Sequence, residues 1–600
     1  MNLDERKYVI LAIFAAIALL FLVKLFSIQV LENEWKLKSA RLTETAKDIY
    51  PTRGIISDRN GKVIVDNIAA FDLMVIPRQV KEFDTLAFQE LTGLDKESII
   101  QKLNKAKRYS RYKASEFLAQ LKGEEYIRIA EDLSDFPGFF ARTRTLRKYP
   151  YQSAPHVLGY IGEVGQKKIN SDSYYKSGDY IGTSGIERSY EKDLRGKRGI
   201  EFVLVDVHNN VKGKYSNGDF DTVAVNGLDL ESTIDIELQN FGEELMKNKR
   251  GSIVAIEPET GEILCMVNNP SYDPNLLVGR VRSENYKVLS QDTLNPLFNR
   301  ALQAQYPPGS TFKLIQALIG LEEGVLNENT YHSCNGGYYF SGRRLGCHPH
   351  RSPLALNYSI STSCNAYYCN VFKDILDNYP TTETGYKVWR EHVAKFGLGE
   401  KLGIDIPGEA KGLVPQPAYY DRYYQKGRWK AHTIISLSIG QGELGVTPLQ
   451  MANFTSILAN RGWYKKPHLV RKVNGEPAYE EENLILETDI SKEHYEPVIE
   501  GMYAVIEKGT GRGVRFSEDI EVCGKTGTAE NPHGKDHSIF IAFAPKDDPK
   551  IAVAVYVENV GFGSTWAAPI NSLVIEKYLT GEINRPHVEK RMLEGDLLHN

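Results

Sequence analysis

The residues able to do chemistry begin at Ser310. In Tyr306-Pro307-Pro308-Gly309-Ser310-Thr311-Phe312-Lys313, a stiff Pro-Pro-Gly turn precedes an apolar run from Leu314 to Gly320. That pattern predicts a buried helix starting at the serine. Ser310 and Lys313 then share a face, one turn apart. A serine hydroxyl is a weak nucleophile at neutral pH and needs a base. A lysine amine in a partly desolvated cleft can lose its proton and serve as that base. The first N–H groups of the helix could stabilise an oxyanion beside it. Taken alone, Ser-x-x-Lys is more often a capping serine and a solvated lysine. A second copy, Ser173-Tyr174-Tyr175-Lys176, stands in a loop-like stretch.

Order separates the two copies. Ser363-Cys364-Asn365 follows Ser310 in a polar break between helical stretches, and Lys525-Thr526-Gly527-Thr528 comes later, at the end of one strand and before another. Similar triplets at Ser283-Glu284-Asn285 and Lys176-Ser177-Gly178 run in the wrong order. Singly, Asn365 reads as a helix cap, Lys525 as a solvated strand end and Thr526 as a β-former. Together they read as nucleophile helix, helical-region serine and edge-strand lysine of one site.

The elements that must position them are also legible. Residues 251–256 and 262–267, around a turn at 257–261, read as a hairpin in a central sheet. Helical patterns dominate from 310 to 397, strands return at 520–523, 538–544 and 551–557, and 567–579 reads as a helix packed on the sheet. Upstream, residues 50–64 read as strand, Asn-Gly turn, strand. Residues 71–149 alternate short elements with many charges and read as a scaffold or partner surface, and a glycine-rich stretch from 156 to 199 leads into a strand at 201–207.

With 600 residues the chain has room for two to four domains. Apolar content of 42% and charged content of 25% are those of a globular protein, and a net charge of −4 gives no reason to expect a nucleic-acid partner. Residues 8–30 carry Lys24 as their only charge. They are long enough to cross a bilayer and lack a small-x-small cleavage site, so they read as an uncleaved anchor with Lys24 snorkelling. Flanking charges do not set its direction. Residues 30–47 read as a helix continuing away from it.

Six cysteines are too few for a disulfide-built scaffold. Cys334, Cys347, His350 and Cys364 could hold a tetrahedral zinc, with His348 a less well-spaced alternative to His350. A disulfide, or small buried thiols filling gaps, competes with that reading. Cys364 lies inside the Ser-x-Asn triplet, so a metal there would be tied to catalytic geometry.

The three ordered motifs are the signature of penicillin-interacting serine acyltransferases, and the chain resembles a class B penicillin-binding protein along nearly its whole length. The resemblance covers the anchor, RGIISDRNG (53–61), GTSGIERSYEKDLRGKRG (182–199), GSIVAIEPETGEILCMVNNPSYDPN (251–275), SIGQGELGVTPLQMA (438–452) and GKTGTAE (524–530). Ser-Cys-Asn followed by aromatics, and HSIFIAFAP (537–545), resemble the elongation-type, penicillin-binding protein 2 subfamily.

That resemblance implies an α+β multidomain chain. Its parts are a cytoplasmic tail (1–7), a transmembrane helix (8–30), a mixed α/β pedestal of the dimerisation type (31–225), a transpeptidase domain with a central antiparallel sheet flanked by helices (226–585), and a loosely ordered charged tail (586–600). It implies that Ser310 attacks the penultimate D-Ala of a peptidoglycan stem peptide, that Lys313 takes its proton, that Ser363 relays a proton to the leaving group and that Asn365 holds the substrate amide. Lys525 supplies charge near the terminal carboxylate, Thr526 and Thr528 in the Thr526-Gly527-Thr528 run bond it, and the N–H groups of Ser310 and Thr528 form the oxyanion hole. No cofactor is needed for this chemistry. β-Lactams are the implied inhibitors, a RodA-like membrane glycosyltransferase the implied pedestal partner, and the extracytoplasmic side of the inner membrane the implied location of the catalytic domain. Three other readings compete. A carboxypeptidase or β-lactamase needs a deacylating base, and no clear Glu-x-x-Leu-Asn segment stands in the right interval for one. A β-lactam sensor needs more membrane spans. A structural activator of a polymerase is compatible with the transpeptidase.

Overall fold

A computed structural model describes residues 3–27, 44–205, 211–479 and 485–598. Helix α1, Leu3–Phe26, is apolar and exposed from Tyr8 to Phe26, 19 residues. At 1.5 Å per residue that is about 28 Å, the thickness of a bilayer's hydrocarbon core. Residues 28–30 of the expected span, and most of the helix expected over 30–47, lie outside the described residues. Where that segment is described it is a strand, Glu44–Ile49, paired antiparallel with Gly199–Val205. Ladder pairing with a distant strand overrides its local helical pattern.

Two compact units form from interleaved segments. The first contains Met1–Arg53, Ala69–Leu146 and Arg195–Gly227; the second contains Gly54–Ile68, Arg147–Leu194 and Leu228–Asn600. These units cut across the linear boundary expected at 225/226: residues 54–68 and 147–194 belong to the unit that carries the catalytic motifs. Arg147 and Glu187 illustrate the reason. Both are fully buried, and Arg147 Nε meets Glu187 Oε1 at 2.7 Å, a pair that neither partner could leave without exposing the other's charge to an apolar interior. The first unit has its own core, in which Phe88, Phe117, Phe136 and Phe139 pack with Leu73 and Ile99.

The second unit is built on a five-stranded antiparallel sheet. Its strands are β1 (Gly251–Ile256), β2 (Ile263–Asn269), β3 (Cys523–Ala529), β4 (His537–Ala544) and β5 (Ile551–Val557), in the order β2-β1-β5-β4-β3. Every residue of β5 is buried, so the sheet is covered on both faces, and this explains continuous apolar strands where one-sided burial would show alternation. The helices around it are α2 (Ile236–Met246), α3 (Lys313–Glu322), α4 (Leu356–Thr362), α5 (Asn365–Asp377), α6 (Pro448–Ala459), α7 (Tyr495–Glu507) and α8 (Ala567–Thr580). α2 and α8 pack together and against β2, β4 and β5, while α6 packs on β1, β4 and β5, and α7 on β3 and α4. α6 is buried at all its positions and opens with a capping box between Thr447 and Gln450.

Three further expectations are corrected. The Lys-Thr-Gly-Thr run lies within β3, the edge strand, and not at a strand's end. A hairpin, Gly337–Phe340 with Arg343–Gly346, interrupts the region expected to be helical. The charged C-terminal segment is no loose tail: α9 (Pro586–Glu594) buries Met592 in the main core, and Leu597 N donates to Asn248 O at 2.9 Å. Most of its residues are polar and exposed, which hides the anchoring Met592 and Val588 from a composition-based reading.

Candidate active site

The nucleophile turn depends on bare backbone. A 3-10 turn, Gly309–Phe312, leads directly into α3. Gly309 has φ +58°, and a Cβ there would stand 2.6 Å from the Thr528 carbonyl oxygen. Its N–H donates to Gly440 O at 2.8 Å. Gly527 serves the same approach from the strand side, since its Cβ would meet Thr311 Cγ2 at 3.0 Å. The turn carrying Ser310 is thus seated on β3. Ser310 itself is half-buried and faces a cavity of about 550 Å³ whose walls include Ser363, Asn365, Thr526, Gly527 and Thr528. Its hydroxyl makes no hydrogen bond among the described residues.

Lys313 opens α3, whose residues from Lys313 to Leu321 are all buried. Its Nζ donates to Asn365 Oδ1 at 2.5 Å, to Ser363 O at 2.7 Å and to Ser363 Oγ at 3.2 Å. Burial pulls the amine down to about 8, against the pull of the nearby thiols of Cys364, Cys347 and Cys369. Ser363 closes α4 in the left-handed region, φ 56° and ψ 42°, a costly conformation for a non-glycine residue. It turns the Ser363 carbonyl and hydroxyl together toward Lys313. Asn365 begins α5, and its Nδ2 donates to Gly346 O at 2.6 Å on the hairpin. Both ends of the Asn365 amide are therefore engaged before any substrate enters, and its expected grip on a substrate amide would require an exchange of partners.

Lys525 is fully buried on β3, with Nζ 3.1 Å from Thr526 O. Burial, reinforced by Lys313, pushes it well below the ordinary lysine range. Two buried amines that feel each other cannot both hold protons cheaply. Thr526 Oγ1 lies 2.7 Å from Thr510 Oγ1, and Gln441 Nε2 donates to Thr528 O at 2.9 Å. Thr510 and Gln441 were not singled out from sequence. Gln441 stands in the quoted 438–452 segment, whereas Thr510 follows α7 with no motif around it. The decoy motifs stay away from the cleft: Ser173–Lys176 is in a turn, and Ser283–Asn285 lies in the helix Arg282–Gln291.

The cysteine cluster forms beside this site. Cys334 Sγ, Cys347 Sγ, Cys364 Sγ and one His350 ring nitrogen all lie within 4.8 Å of one another. Cys347 and Cys364 sulfurs are 3.9 Å apart and all six cysteines are free, so the disulfide alternative is not formed. His350 Nδ1 contacts Arg351 O at 2.8 Å, leaving Nε2 buried without a partner. That is the orientation a backbone carbonyl imposes on a metal-ligating histidine. N–H groups of Ala366 and Tyr367, at the start of α5, point to Cys347 and Cys364 sulfurs at 3.4 Å each; the hydrogen bond between the two sulfurs draws Cys347 down to about 4 and pushes Cys364 up. His348 instead lines the cavity that Ser310 faces. The donor set fits zinc.

Comparison with known proteins gives two family matches: "Penicillin binding protein transpeptidase domain" over residues 251–576 and "Penicillin-binding Protein dimerisation domain" over 48–232. The peptidoglycan D,D-transpeptidase MrdA of Acinetobacter baumannii is 33% identical over 570 residues, covering 89% of this chain and 81% of that protein. Among solved structures, penicillin-binding protein PBP2 of Helicobacter pylori in complex with MreC superposes with a TM-score of 0.76 at 26% identity, covering 90% of this chain and 99% of that one. A structure described as the coordination of polymerization and crosslinking by a peptidoglycan synthase complex gives a TM-score of 0.72 at 28% identity, with 96% and 99% covered.

Proposed function

The chain belongs to the penicillin-binding protein transpeptidase family, and from that membership we propose how its cleft crosslinks peptidoglycan during cell-wall elongation. The observation that carries the proposal is the contact of Lys313 with both Ser363 and Asn365 in the cavity that Ser310 faces. Neutral Lys313 takes the Ser310 proton as Ser310 Oγ bonds the penultimate D-Ala carbonyl carbon of a donor stem peptide. N–H groups of Ser310 and Thr528 hold the oxyanion. Lys525, Thr526 and Thr528 hold the terminal carboxylate, and Gly527 keeps the strand close to the turn. The C–N bond to the terminal D-Ala then breaks, and its nitrogen receives the proton from Lys313 through Ser363. An amine of a neighbouring stem attacks the ester, its proton returns to Ser310 Oγ, and the crosslink is made. A β-lactam enters by the first half of this path and stops there. The chemistry needs no cofactor.

Zinc on Cys334, Cys347, His350 and Cys364 would act structurally, cross-linking the hairpin to the start of α5 and so holding Ser363 and Asn365. The unburied apolar helix α1 supports a single-pass anchor, with the catalytic unit outside the cytoplasmic membrane. That similar proteins form a complex with MreC and a peptidoglycan synthase complex supports a partner-binding role, and a RodA-like glycosyltransferase meeting the pedestal is the partner proposed here.

The test is reconstitution of the full chain with a glycan polymerase and a pentapeptide-bearing lipid-linked precursor. Crosslinked stems should appear with one D-Ala released per crosslink. Release of D-Ala with no crosslink under any acceptor supply would make the protein a hydrolase.

A further inference from the structure

A second cavity, of about 310 Å³, adjoins the catalytic one, and Thr510 and Ser564 line both. Thr510 touches Thr526 hydroxyl to hydroxyl, so the shared wall lies on the side where the transpeptidase reading puts the donor's terminal carboxylate and its leaving D-Ala. Departure of D-Ala vacates that side.

The second cavity has the chemistry of an anion pocket. His587 and Arg591 of α9 line it, and no Asp or Glu does among the described residues. Neither side chain has an acidic partner among the described residues. Nearby arginines are differently placed: Arg585 pairs with Glu576 at 2.8 Å and Arg515 with Glu507 at 3.2 Å. The first turn of α8 contributes Ala568 and Pro569, which sets the positive end of a 14-residue helix against the same space. The other walls include Val514 and Val588. The exposed guanidinium of Arg591, beside the apolar walls Val514 and Val588, suits a carboxylate carried on an aliphatic chain.

We propose that this pocket is the acceptor subsite, where Arg591 binds a carboxylate of the incoming stem peptide and brings its amine to the Ser310 ester from the vacated side. The proposal rests on the transpeptidase reading. Arg591 acts here as a binding residue, and no bond is made or broken in the pocket.

The experiment uses full-length detergent-solubilised protein, a D-Ala-D-Ala-type donor, and an amine acceptor peptide with its carboxylate free or amidated. Arg591→Gln should raise KM for the free-carboxylate acceptor by about tenfold, the scale of one charge-assisted hydrogen bond. It should leave KM for the amidated acceptor in place, and Arg591→Lys should fall between. An equal change for both acceptors, or for neither, overturns the proposal. A fall in donor kcat/KM with acceptor KM unmoved also overturns it, by assigning the pocket to the departing D-Ala. Penicillin acylation is measured in parallel. If wild type forms no adduct, the transpeptidase reading has failed and the pocket's assignment falls with it; if the adduct forms and acceptor discrimination does not, the pocket alone is wrong.

Discussion

Lys313 Nζ sits closer to Asn365 Oδ1, at 2.5 Å, than to the Ser363 hydroxyl, at 3.2 Å. The Ser-Cys-Asn segment thus aims the base before substrate arrives, through a carbonyl that accepts and never competes for the lysine's lone pair once the amine is neutral. Asn365→Ala should lower the rate of acylation by a fluorescent penicillin on the order of a hundredfold, and its lost bonds to buried Lys313 and to Gly346 should cost about 1–3 kcal/mol of stability. An Asn365→Ala rate within a factor of about two of wild type would remove Asn365 from the machinery.

The pH dependence follows from the direction of the Lys313 shift. Burial lowers the amine to about 8, and the neutral form is the base. Below that value Lys313 is protonated and acylation slows roughly tenfold per pH unit; above it the rate levels off. A stopped-flow profile of acylation against pH should therefore climb and flatten near 8. A rate that is flat from 6 to 9 would contradict the assignment of Lys313 as base.

Gly309 tests the seating of the nucleophile turn. Gly309→Ala forces a Cβ to 2.6 Å from Thr528 O at φ +58°, so the turn must lift from β3. Acylation should drop sharply, because the Ser310 and Thr528 N–H groups no longer face one point. Gly342, at φ +76° with open space around it, is the control: Gly342→Ala carries only the left-handed strain, roughly 1–2 kcal/mol, and should acylate normally. Equal behaviour of the two variants would contradict this account of Gly309.

Metal analysis tests the cysteine cluster. The purified protein should carry about one zinc per chain. Cys347→Ser and His350→Ala should lose it and melt at lower temperature, and His348→Ala should keep it. Zinc retained by His350→Ala and lost by His348→Ala would reassign the ligand.

Motif order made the nucleophile turn, Ser363 and the Lys525 strand legible, because each needs a distinct local structure that its neighbours also encode. Four of the five strands were legible because fully covered strands read as unbroken apolar runs; β3 was expected at 520–523 and instead spans Cys523–Ala529, whose Gly-Lys-Thr-Gly-Thr run carries no apolar signal. What stayed hidden depends on contacts between distant segments. Thr510 matters through a hydroxyl contact with Thr526, and nothing local marks it. Met592, with half-buried Val588, anchors a helix whose other residues are mostly polar, so the C-terminal segment reads as a tail. Glu44–Ile49 takes its strand from Gly199–Val205, and residues 147–194 join the catalytic unit through long-range packing, so no linear cut in composition could show the division.

The central claim is that Ser310 is the acylated nucleophile, and intact-mass analysis tests it most directly. Full-length protein and its Ser310→Ala variant are exposed briefly to a penicillin in parallel. The expected result is a stable one-to-one adduct on wild type and none on the variant. An adduct on both proteins would place the nucleophile elsewhere, and an adduct on wild type that decays within seconds would contradict a transpeptidase that holds its acyl-enzyme for an amine.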